Sequence, residues 1–74
     1  MSAAAMTVEA LMYSLRERGT KALAERDTRR RISELSDEQA LEVAGRLQRL
    51  KPEIARAWSA DEVERLLHLR ETLR

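Results

Sequence analysis

The residues able to do chemistry are few. His68 is the only histidine and the chain has no cysteine, so the convergent His/Cys set of a metal site cannot be assembled. Nucleophilic catalysis would need Ser14, Ser33, Ser36 or Ser59 beside a general base that a third group holds in place, and two of those serines serve better as helix caps. Ten Glu and three Asp are present, but most alternate with Arg on outer helical faces, as in solvated amphipathic helices. A carboxylate dyad needs a pocket that fixes it, and a bundle this small has little room for one. With two glycines in the chain there is no glycine-rich phosphate loop. The expectation is a protein that is not an enzyme and takes no cofactor or metal.

What remains is recognition chemistry. Arg29, Arg30 and Arg31 follow one another, with Arg26 one turn earlier. Arg26, Arg29 and Arg30 would cluster on one side of a helix and suit phosphates or an acidic protein surface, unless Glu25, Asp27 and Glu34 pair them locally. A second strip, Arg46, Arg49, Lys51 and Arg56, spans a later corner. Tyr13, Leu41 and Leu69 each lie off the main apolar stripe of their helix and are the candidate apolar anchors, with Arg26, Arg29 and Arg30 as rim charges.

Helices must position these groups. Thr7, Val8, Leu11, Met12 and Leu15 have helical spacing and Gly19 is a C′ residue, which predicts a first helix over Thr7–Arg18. Residues 1–6 are read as a flexible N-terminal tail. A second helix starts at Thr20, and Asp27 and Thr28 could end it and cap another; a continuous helix over Thr20–Leu35 is the preferred reading, because arginines 29–31 then lie near its negative end. Ala24, Thr28, Ile32 and Leu35 would share its inner face, and Glu25–Arg29 and Asp27–Arg31 would be i,i+4 pairs. Ser36-Asp37-Glu38-Gln39 is a capping box opening a third helix to about Leu50, its stripe Ala40, Val43, Ala44, Leu47 and Leu50. The small residues at 40, 44 and 45 would let another backbone approach, inside the domain or between two chains. Pro52 starts a short helix over Pro52–Ala57. Ser59-Ala60-Asp61-Glu62 is a second capping box, with Trp58 and Val63 as its hydrophobic staple. It opens a last helix bearing Val63, Leu66, Leu67 and Leu73, with Leu69 offset to one side. The fold class is all-α, a compact bundle of four to five short amphipathic helices over residues 7–74.

Composition bounds the partners. The chain has 74 residues, 14 Lys plus Arg against 13 Asp plus Glu, and a net charge of +1, without the surplus that marks a dedicated polyanion binder. No apolar run approaches the 18 or more residues of a membrane span, and Met1–Met6 lacks the regions of a secretory signal, so a cytoplasmic location is expected. The bulky apolar residues are 11 Leu, 3 Val, 2 Ile, 3 Met, Trp58 and Tyr13, with no Phe. Such a core supplies only about 3 to 5 kcal/mol, which makes a protein partner or a homo-dimer the natural expectation, with nucleic acid second. Twelve Arg against two Lys, with eleven Ala, suggest a GC-rich bacterial or phage genome.

Two resemblances follow from particular residues. Trp58, Ser59, Asp61, Glu62, Leu66, Leu67, Leu69 and Arg70 resemble the opening helix of Myb-like and other helix-turn-helix DNA-binding domains. That family continues into a second and a recognition helix, which would have to follow Arg74. A helix-turn-helix joined at Ser36 would open its second helix with Asp37 and Glu38, the wrong charges to face phosphates. The segments VEALMYSLRERGTKAL, TRRRISELS and RLQRLKPEIARAW resemble small proteins carried by phages and mobile elements of GC-rich bacteria, which act on regulators or nucleases of the host. Together these readings predict a non-enzymatic helical protein-binding module that regulates or inhibits a macromolecular partner, with a helix-turn-helix DNA-binding regulator as the alternative.

Overall fold

Alternating stripes of apolar side chains fold this chain into helices that cannot bury those stripes alone. The computed structural model describes residues 3–50 and 58–73. Among them are four α-helices and no strand: α1 (Ala3–Arg18), a 3-10 segment (Gly19–Ala24), α2 (Arg26–Ser33), α3 (Asp37–Gln48) and α4 (Ala60–Leu73). α2 packs on α1 and α4, α3 packs on α4 and α1, and the 3-10 segment folds back on α1. The Cα radius of gyration is 11.1 Å, close to the roughly 11 Å expected of one packed unit this long. The expected short helix over Pro52–Ala57 lies outside the described residues.

Local signals set most helix ends. α1 opens at Ala3, ahead of Thr7, through an alanine run with the best intrinsic helix propensity. It closes at Arg18, where Gly19 takes φ 61°, a left-handed conformation that costs glycine nothing. Both halves of the Ser36 capping box form: Gln39 N–H donates to Ser36 Oγ at 3.2 Å and Ser36 N–H donates to Gln39 Oε1 at 2.8 Å. At α4 the serine half forms, with Glu62 N–H donating to Ser59 Oγ at 3.4 Å. The Glu62 carboxylate pairs with Arg65 at 3.3 Å. Trp58 and Val63 are both buried, as a staple requires.

The second helix departs from expectation. It is broken at Glu25, whose backbone is extended (φ −83°, ψ 138°) and whose N–H donates to the Ala22 carbonyl. The cause is burial on two sides. In a continuous helix Leu23 and Ile32, nine residues apart at about 100° each, would point in opposite directions, yet both are buried in one core. The break reorients the chain between them. It also places Asp27 in the first turn of α2 and Arg30 and Arg31 in its last, so the helix dipole is matched at both ends. Thr28, Ile32 and Leu35 form the inner face, whereas Ala24 is exposed.

The core joins Val8, Leu11, Met12 and Leu15 of α1 with Leu23, Ile32, Leu35, Val43, Leu47, Trp58, Val63 and Leu66. Ala40 and Ala44 are buried within it, so the small residues of α3 serve close packing inside the chain. Gly45 has the guanidinium of Arg49 against its open side, 3.7 Å from where a Cβ would stand.

Two polar side chains enter this core and satisfy backbone carbonyls. Trp58 Nε1–H donates to the Leu15 carbonyl at 3.0 Å, in the last turn of α1 where carbonyls run short of helical partners. Arg70, 4% exposed, occupies the inner stripe of α4 after Val63 and Leu66. Its Nε–H donates to the Leu35 carbonyl at 2.9 Å and its Nη2 to Asp37 Oδ1 at 2.8 Å, while Nη1 meets Glu71 at 2.8 Å. One side chain thus ties α4 to the turn between α2 and α3. Among the described residues no buried side-chain N or O lacks a partner.

Replacing Arg70 by Met keeps the length and removes the donors, leaving the Leu35 carbonyl unpaired at a cost of about 1 to 3 kcal/mol. Asp37→Asn weakens a pair whose carboxylate side is 87% exposed, and its cost stays below about 1 kcal/mol. Urea unfolding of the two variants beside the parent chain checks the order: Arg70→Met lowers the midpoint clearly and Asp37→Asn only slightly.

Candidate docking groove

Arg70 brings α4 alongside the first turns of α3, and between them lies an open groove of about 510 Å³ lined by Asp37, Ala40, Leu41, Glu64, Leu67, His68, Arg70 and Glu71. Its origin is periodicity. On α3 the core takes Ala40, Val43, Ala44 and Leu47, so Leu41, about 100° round from Ala40, is left outside the core and is 71% exposed. On α4 the core takes Val63, Leu66 and Arg70, so Leu67 is left half-buried on the flank toward α3. The groove therefore has an apolar floor of Ala40, Leu41 and Leu67 and a rim of three carboxylates, Asp37, Glu64 and Glu71. Burying Leu41 fully would be worth roughly 1.5 to 3 kcal/mol.

The other expected contact residues do not gather there. Tyr13 projects from α1, 60% exposed, with Glu9 and Glu17 one turn before and after it. Leu69 lies on the opposite flank of α4 from Leu67 and packs half-buried against the core, where it widens the inner face of that helix. Arg26, Arg29 and Arg30 are exposed on α2. None of these three arginines makes an ion pair among the described residues. The expected pair Glu25–Arg29 is not formed, because the break at Glu25 turns its carboxylate to Arg18, 2.7 Å away, and Asp27–Arg31, within α2, is not formed either. Arg18 Nη2 also donates to Ser14 Oγ at 2.9 Å.

The second basic strip is divided. Arg46 turns toward α1 and makes a two-pronged contact with Glu9, at 2.7 and 3.3 Å. That hydrogen bond, with the Arg46 charge and a smaller contribution from Arg16, holds the Glu9 carboxyl below the usual carboxylate range. The same contact pushes Arg46 further up. Lys51 and Arg56 lie outside the described residues. Among the described residues no three His, Asp or Glu converge as a metal site, and no helix is long and apolar enough to cross a membrane.

No family model, curated protein or solved structure matches this chain. The groove is therefore read from its own residues. Of its lining only Leu41 stood out in the sequence. The signal for Arg70 was present in the spacing, since it follows Val63 and Leu66 on the same stripe, but an arginine at a core position reads as a surface residue until its partners are known. Leu67 and Glu64 become groove residues only once α4 is docked on α3.

The Glu9–Arg46 contact predicts a pH response. A carboxyl lowered in the folded chain stabilises it fully above the unfolded value of about 4.3, and that stabilisation is lost as pH falls through the folded value. NMR titration of the Glu9 carboxyl is expected to give a midpoint below the ordinary glutamate value, moving back toward it in Arg46→Gln. With the Glu9 side chain 57% exposed, added salt should shrink the shift.

Proposed function

We propose that this chain is a small non-enzymatic helical protein-binding module, cytoplasmic in a bacterium and of phage or mobile-element type, that regulates or inhibits a macromolecular partner. The observation that carries this reading is Leu41. An exposed leucine beside half-buried Leu67, with carboxylates around both, has the layout of an interface centre with a polar rim. A folded domain gains nothing by leaving that side chain in water, whereas a partner's apolar residues would cover it. Self-association into a homo-dimer is the simplest other use of the same surface.

The test combines capture and mutation. Immobilised chain should retain one protein from a lysate of its source cell, and the purified pair should reconstitute. Leu41→Lys should weaken that pair about tenfold or more, as loss of a central anchor does. Equal capture by both forms, or no specific capture at all, removes the reading.

A second reading rests on a different observation, the exposed arginines 26, 29 and 30 on α2 without ion pairs among the described residues. It is a DNA-binding regulator that holds backbone phosphates through them. Three phosphate contacts imply a salt slope of about −2.7, or roughly forty-fold weaker duplex binding from about 50 to 200 mM salt. Fluorescence anisotropy measures this, and no binding at the lower salt ends it. Against this reading, the outward face at the start of α3 carries Glu38 and Glu42, charges that repel a duplex.

A further inference from the structure

We infer that the groove between α3 and α4 accepts a basic amphipathic helix belonging to a different protein, its apolar ridge on Leu41 and Leu67 and its Lys or Arg residues toward Asp37, Glu64 and Glu71. The inference rests on the docking reading above and names the occupant.

Shape and charge both select it. The walls are two helices, and the described residues include no strand whose edge an extended peptide could join. A third helix laid along the seam places residues at i, i+3, i+4 and i+7 on the apolar floor. Around that floor the rim is acidic, and Glu38 and Glu42 carry the negative surface further along α3. The one cation of the lining, Arg70, is buried and pairs with Asp37 and Glu71, so it offsets one of the three carboxylates, and Glu64 makes no ion pair among the described residues. A basic helix meets opposite charge on both sides of its ridge, and an acidic one meets like charge.

A second copy of the chain fits less well. Paired across a two-fold axis, Leu41 would meet Leu41 only by bringing two acidic rims together. The other large exposed apolar side chain among the described residues is Tyr13, and Glu9 and Glu17 flank it on α1. The exposed arginines of α2 have the right sign, but the outer face of α2 offers only Arg26, Asp27, Arg29 and Arg30 and no apolar ridge.

The probes are two synthetic helical peptides about four turns long with the same leucine ridge, one otherwise rich in Lys and the other in Glu, titrated into the full isotope-labelled chain. The expected result is that the Lys peptide shifts the amides of Leu41, Glu64, Leu67 and His68 and binds at least about tenfold tighter than the Glu peptide, a gap of about 1.4 kcal/mol. Leu41→Lys and Glu64→Lys, both at exposed positions, should keep the folded spectrum and each weaken the Lys peptide several-fold. The inference is overturned by a Glu peptide that binds as well, by shifts confined to another surface, or by no binding of the Lys peptide. Concentration-dependent dimers that Leu41→Lys dissolves would give the groove to a second copy and overturn it too. Leu41-dependent capture of a cellular partner without any binding of the Lys peptide would remove the basic helix alone and leave the docking reading in place. Loss of both would remove both.

Discussion

A buried arginine organises this domain. Arg70 sits where the spacing of α4 calls for a leucine, and its donors are spent on the Leu35 carbonyl and on the carboxylates of Asp37 and Glu71. A guanidinium in a core is costly unless each donor finds an acceptor, so the position of α4 is fixed by where those acceptors lie. The two outside α4, the Leu35 carbonyl and Asp37, lie where α2 passes into α3. Trp58 acts similarly at the other end of the same helix by reaching the Leu15 carbonyl of α1. Apolar contact alone would let short helices slide against one another, whereas two directional hydrogen bonds to main-chain oxygens set the register.

The groove is a by-product of that register. Because Arg70 pulls the C-terminal half of α4 onto the first turn of α3, Leu41 and Leu67 line one seam while the carboxylates around it remain in water. The arginines of α2 face elsewhere. A nearly neutral chain thus carries an acidic seam and a basic helix face, and separated charges of this kind orient an approaching partner more than they add to its affinity.

Much of this was legible in the residues. The Ser36 box and the glycine turn at Gly19 are local devices that formed where the spacing placed them, and Trp58 and Val63 are both buried as their spacing suggested, although the Glu62 carboxylate of the last box pairs with Arg65 instead. A break near Asp27 was one of two readings the residues allowed, but its place at Glu25 was not legible, because the pattern of a single helix does not reveal that Leu23 and Ile32 must reach the same core from opposite sides. Nor was the groove, since it depends on two helices that are distant in sequence. Tyr13 and Leu41 stand exposed as their off-stripe positions suggest, while Leu69, equally off-stripe, is drawn half into the core by the breadth of the inner face of α4.

The shortness of α2 has a further consequence. Eight residues are below the roughly 12 to 15 at which a lone helix becomes even marginally stable in water, so α2 exists only because α1 and α4 hold it. Its row of guanidinium groups is therefore a display that vanishes with the fold. Whatever reads those charges reads, at the same moment, whether the molecule is intact.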